Sequence, residues 1–220
     1  LNPAFVNKVQ EAHTALQPRR VHTITDRFAM VNTYLINDER MVVVDPVSEL
    51  NVQLLSKYIE RILHRTPAEI DLIVLTHLHP DHSAGVAALR RICKAPVAAS
   101  SVLRQLNLFP LAHIFQRKCI NIWLDDVAGL PFHLDWRIIA NPGHTPESLC
   151  LYNPFTYELL CGDTVITVEG RAPLLRRGSN LHQLEELLQI LRSLQVYYLY
   201  PGYGRPILGL CPLCNITVEW

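Results

Sequence analysis

The segment "LTHLHPDHSAG", residues 75–85, gathers His77, His79, Asp81 and His82 into six positions of a 220-residue chain that has ten histidines in all. Alternate residues of an extended segment share a face, so His77 and His79 can grip one ion together. Entry into a helix then turns Asp81 and His82 toward a neighbouring point. Imidazole with carboxylate suits zinc, iron or manganese and leaves coordination positions open for a substrate or water. Two later segments present the same side-chain types just beyond apolar runs. "ANPGHTPES" offers His144 after a Pro142-Gly143 turn, and "LLCGDT" offers Asp163.

The elements that must hold these groups are written in hydrophobic periodicity. "VHTITD" (21–26), "VNTYLIN" (31–37) and "RMVVVD" (40–45) are β-rich and separated by turn formers. In 48–63, apolar residues at 52, 55, 59, 62 and 63 have helical spacing. The nearly continuous apolar run of 69–77 suits a strand buried on both faces, and 82–94 reads as helix again. Two further strands lead to His144 and Asp163, the second forming a hairpin around "NPFT". Residues 179–194 form a helix, with Asn180 and Gln183 spaced like a capping box. "VYYLYPGYG" closes with a strand and turn. This order predicts two β-rich halves covered by helices, in one domain spanning 1–220.

Taken together, "THLHPDHSAG", "PGHTPES", "CGDT" and "YPGYG", with "VVVDP" before them, resemble the metallo-β-lactamase-fold hydrolase superfamily and its glyoxalase II-like branch. The resemblance implies a four-layer αββα sandwich with its site at one edge between the sheets. It implies one metal on His77, His79 and His144, a second on Asp81 and His82, and Asp163 bridging them. Zinc is the expected metal, with iron or manganese as alternatives. Asp45 matches a buried aspartate near the site, expected to accept an N–H from a ligand histidine; the plain alternative is a turn starter before Pro46. Members with two metals usually carry Pro-Gly-His-Gly in the last turn, where this chain has Tyr203. Three readings compete for it: a phenolate ligand of the second metal, a neutral phenol donating to substrate or oxyanion, or a packing residue.

The chemistry implied is hydrolysis of a small-molecule ester, thioester, lactone or phosphoester by metal-activated water, with Asp81 orienting the water or taking its proton. Arg171, Arg176 and Arg177, after Asp163, are candidates for holding a substrate anion. A non-haem iron protein that uses oxygen, of the persulfide dioxygenase or flavodiiron kind, is the rival on the same scaffold. A non-catalytic, metal-stabilised binding protein is the second rival. His13, His22, His64, His113 and His133 stand outside any motif, and His182 is the nearest spare histidine to Tyr203.

Twenty basic residues balance twenty acidic ones, which argues against a nucleic-acid or anionic-membrane partner. No apolar run approaches the roughly 18–20 residues of a bilayer span. No secretory signal is visible, and nothing indicates an oligomer. The six cysteines are scattered, so a reducing, cytoplasmic setting is expected. Cys211 and Cys214 are expected as separate thiols and not as half a zinc knuckle.

Overall fold

The computed structural model describes residues 20–28, 30–105, 118–169, 171–175, 181–209 and 211–218, the side chains of 181–184 and 218 excepted. Strands β1 (Val21–Thr25), β2 (Asn32–Asn37) and β3 (Met41–Val44) form an antiparallel meander. Parallel strands β4 (Ile70–Val74), β5 (Val97–Ser100) and β6 (Ile122–Leu124) extend it into a six-stranded sheet. The second six-stranded sheet contains β7 (Gly129–Leu130), β8 (His133–Ala140), β9 (Leu149–Asn153), β10 (Glu158–Gly162), β13 (Tyr198–Pro201) and β14 (Ile207–Leu208). A small third sheet joins β11 (Val165–Ile166), β12 (Leu174–Leu175) and β15 (Thr217–Val218). Helices among the described residues include α1 (Glu49–Arg61), α2 (Pro80–Ser83), α3 (Val86–Cys93) and α4 (Leu181–Ser193).

Side-chain alternation along the strands builds the layers. Tyr34, Ile36, Val42, Val44, Leu72 and Val74 of the first sheet meet Trp136, Ile138, Leu151 and Leu160 of the second in one apolar core. The residues between them, Leu35, Val43 and Ile73, pack outward on Val52, Leu55 and Ile59 of α1 and on Leu89 of α3. Cys150, Leu159 and Leu199 of the second sheet likewise pack on Leu187 and Leu191 of α4. Helix, sheet, sheet and helix follow in order: the four-layer αββα sandwich. Strand β4 lies between parallel β3 and β5 and buries both faces, as its uninterrupted apolar run requires.

Sequence and structure part at several points. Helix α1 begins at its Ser48 cap, whose hydroxyl accepts the Asn51 N–H, but it ends at Arg61. Ile62 is therefore 59% exposed and leaves the apolar stripe. The helix expected over 82–94 is two helices, broken where the Gly85 N–H reaches the Pro46 carbonyl at 2.8 Å. A Cβ on Gly85 would stand 2.6 Å from that oxygen, so only glycine permits this approach. Cys211 and Cys214 are not separate thiols: they form a disulfide. His22 and His133 have structural partners, the Tyr58 hydroxyl and the Arg40 carbonyl. The cap at Asn180 and Gln183, together with Arg176, Arg177, His13 and His113 and the side chain of His182, lies outside the described residues. Among the described residues no helix is long and apolar enough to cross a membrane.

Candidate metal centre

Every segment singled out in the sequence leaves a strand at the same edge of the sandwich. β3 and β4 are parallel, so Asp45 and Thr76–His77 emerge side by side. β8 and β10 both run antiparallel to β9, and β13 runs parallel to β10. His144, Asp163 and Tyr203 therefore follow strand ends that point one way. The two sheets are joined at this edge by the Leu149 N–H on the Thr76 carbonyl (3.0 Å) and the Asn32 N–H on the Gly202 carbonyl (2.8 Å). The Asn32 side chain adds hydrogen bonds to the Pro201 and Gly204 carbonyls.

His77 Nε2 lies 3.1 Å from His79 Nδ1, which lies 3.0 Å from His144 Nε2. One nitrogen from each ring falls within 4.8 Å of the others. Asp45 explains the orientation of the first ring. Its Oδ1 accepts the Thr76 N–H at 2.8 Å, and its Oδ2 accepts the Thr76 hydroxyl at 2.6 Å. With its proton committed to Asp45, the Thr76 oxygen accepts from His77 Nδ1 at 3.1 Å. That places the His77 proton on Nδ1 and points an Nε2 lone pair into the cluster. The same Asp45 Oδ2 takes the His82 Nδ1 proton at 2.9 Å. Asp45 sits at φ +52°, a left-handed backbone that is strained for a non-glycine residue. Its oxygens, His77 and His82 also converge within 4.8 Å, but Asp45 already accepts three hydrogen bonds. That grouping is a relay orienting the two rings.

His82 Nε2 lies 3.0 Å from Asp163 Oδ1, and Asp163 Oδ2 lies 3.5 Å from His144 Nε2. The fully buried His82 Nε2 meets Asp163 Oδ1 outside good hydrogen-bond geometry. With the ring neutral and its proton on Nδ1, lone pairs face each other there, a costly arrangement that a proton or a shared metal cation relieves. The three convergent imidazole nitrogens are likewise a neutral donor set for a divalent metal. The residues present therefore fit a metal centre. Gly202 makes room for it: a Cβ there would overlap Asp163 Oδ1 and stand 2.8 Å from His82 Cε1.

Tyr203 is half-buried, and its ring lies 6.0 Å from that of His82, centroid to centroid. Its hydroxyl donates to Asp81 Oδ2. Burial raises the Asp81 pKa, but the Tyr203 hydrogen bond and the nearby His82 and His79 outweigh it, holding the carboxyl below its ordinary range. Arg171 is exposed and makes no hydrogen bond or ion pair to the cluster among the described residues. Thr76 and Glu147 were not singled out in the sequence. Buried Glu147 accepts the Leu78 N–H at 3.4 Å, between the two histidines. Their only signal was adjacency to His77 and to His144.

The metal-free protein has a pH signature. Burial lowers the His82 pKa, but Asp163 and Asp45 overcome this and push it up to about 10. In the unfolded chain it returns to about 6.5. This stabilisation is thus complete below pH about 6.5 and is lost as pH rises through about 10. Denaturant midpoints of chelator-treated protein should fall across that window, and His82→Gln should flatten the decline. A midpoint that rises there contradicts the assignment.

The metallo-β-lactamase superfamily model matches residues 26–203. The chain is 27% identical over 194 residues to a β-lactamase-like protein 2 homolog of Drosophila melanogaster, covering 80% of this chain and 59% of that one. It is 30% identical over 119 residues to a hydroxyacylglutathione hydrolase of Marinomonas sp., covering 54% and 41%. The chain thus spans little more than half the length of the first and less of the second. Its fold superposes on the crystal structure of TTHA1623 in a di-iron-bound form with TM-score 0.65 and 24% identity, covering 86% and 94%. With a match running from the end of β1 to the tyrosine of the last turn, the chain belongs to the metallo-β-lactamase superfamily.

Proposed function

We propose that the chain is a metal-dependent hydrolase acting on a small-molecule ester, thioester, lactone or phosphoester. The observation that carries this is Asp163, whose two carboxylate oxygens divide between His82 and His144. A carboxylate divided in this way would suit two neighbouring cation sites. His77, His79 and His144 would hold one ion, and Asp81 and His82 the second, zinc being the metal that best suits this set. When bound, such ions supply Lewis acidity and bring the pKa of water toward 7.

The chain's own residues do the rest. Asp45 and Thr76 hold the imidazole protons away from the cluster. Asp81, kept ionised, would orient a water molecule or take its proton. Tyr203 serves as a neutral phenol that holds Asp81 through Oδ2. The turn joining β1 and β2 is tied to Tyr203 by the Val31–Tyr203 bridge, and it carries exposed Phe28 and Met30. An apolar lip beside the centre suits an acyl group.

Tyr203→Phe is expected to keep the metal content and lower kcat by about ten-fold as Asp81 loses its anchor. Tyr203→His is expected to tighten the second metal equivalent. Elemental analysis with turnover of an ester and thioester panel checks both, and unchanged metal content and rate in both variants would remove Tyr203 from the mechanism. The same donors suit iron, which supports the oxygen-using reading. One iron per chain with oxygen consumption and no hydrolysis would replace the hydrolase with it.

A further inference from the structure

The disulfide between Cys211 and Cys214 lies apart from the metal centre and faces solvent. Both cysteines are exposed, while Pro212 and Leu213 between them are buried. Leu213 anchors the turn in the core that packs against α4, and the Cys214 N–H closes it on the Cys211 carbonyl at 2.9 Å. The turn is therefore held by packing and backbone as well as by the bridge. Cys150 and Cys161, by contrast, are buried thiols whose pKa is pushed up by burial, which leaves them inert at neutral pH.

Beside the bridge is a cavity of about 210 Å³ lined by Arg192, Leu194, Val196, Leu213 and both bridged cysteines. It lies below the 300 Å³ or so at which drug-sized sites begin, so it suits a ligand of few atoms. Its walls are apolar, and its one charged lining residue is Arg192, an exposed residue at the end of α4 with no carboxylate partner among the described residues. A methylene chain fits the walls and a carboxylate fits Arg192. The disulfide among the lining residues is what a thiol attacks. A structural zinc does not fit this place, because no third ligand joins the two cysteines among the described residues.

We propose that Cys211–Cys214 is a thiol–disulfide exchange site whose cavity takes a low-molecular-weight thiol bearing a carboxylate. The thiolate attacks one sulfur of the bridge, forming a mixed disulfide and releasing the other cysteine as a thiolate, which takes a proton from water. A second thiol attacks the mixed disulfide. The sum is two thiols oxidised to their disulfide and one protein bridge reduced to two thiols. Arg192 favours the step twice, by attracting the carboxylate and by stabilising the departing cysteine thiolate. This site is independent of the proposed hydrolase reading, since none of its lining residues belongs to the metal centre.

The test uses the full chain, metal-loaded and purified without reductant. The bridge is opened with 3-mercaptopropionate, 2-mercaptoethanol or cysteamine, quenched with acid and N-ethylmaleimide, and followed by intact mass and peptide mapping. Per thiolate, the anionic reagent is expected to react at least about three-fold faster than the neutral one, and the cationic reagent slowest. Arg192→Gln should collapse this order without altering metal content. Equal rates in the parent protein, or an order that survives in Arg192→Gln, would overturn the proposal. So would peptide mapping that finds Cys211 and Cys214 unlinked before any thiol is added.

Discussion

Asp45→Asn is expected to reduce metal affinity by about 100-fold or more while leaving the protein folded. The backbone N–H of Thr76 requires an acceptor at Oδ1, so the new amide nitrogen must occupy the place of Oδ2. There it donates to Thr76 and His82, where the carboxylate accepted from both. The Thr76 hydroxyl is then turned onto His77 Nδ1, and the protons of both imidazoles move to Nε2. One substitution thus blocks two donor atoms of the centre without touching either ring. Changes at groups that hold ligand histidines typically cost 10- to 100-fold in affinity, and two ligands are affected here. Competition against a chromophoric chelator reads the affinity, and imidazole ¹⁵N shifts read the tautomers. Parental affinity with the tautomers unmoved would refute the relay. Asp45→Ala, which strands two buried donors and His82, is expected to cost the fold itself roughly 3–5 kcal/mol.

Asp163→Asn is expected to be as severe for a different reason. The amide keeps the size of the carboxylate but loses its charge and turns one acceptor into a donor. One side of the bridge, toward His82 or toward His144, must then face an N–H. The protein should lose at least one metal equivalent, and turnover should fall on the order of 10³-fold, the scale of removing a preorganised charge from an active centre. Elemental analysis beside ester hydrolysis decides: a variant that keeps its full metal content and its rate shows that Asp163 does not bridge. His82 should also lose part of what holds its proton in the metal-free protein, so the decline in stability should move to lower pH.

The histidine segments and most of the sandwich were legible because they are local. The β-rich runs, the helical spacing over 48–63 and the imidazole cluster at 77–82 are each set by residues a few positions apart. What was not legible depends on register between distant strands. Nothing near Thr76 in sequence announces that parallel β3 will bring Asp45 onto it, 31 residues away. The Tyr203 hydroxyl finds Asp81 across 122 residues, so the tyrosine could be read in the sequence only as an exception to a pattern. Ile62 was misread because apolar spacing does not say where a helix stops. Cys211 and Cys214 were misread because a turn that brings two sulfurs together has no periodic signature.

The hydrogen bonds of Asn32 to the carbonyls of Pro201 and Gly204 span 169 and 172 residues. They stitch nearly the first described strand to the last functional turn. During synthesis, then, the candidate ligands contributed by the first sheet must wait for almost the whole chain before their partners from the second arrive. Such distant closure is slow to form, and an ion captured there would fasten two independently built halves. Metal supply would therefore be expected to influence how quickly newly made chains become resistant to proteolysis, as well as whether they work.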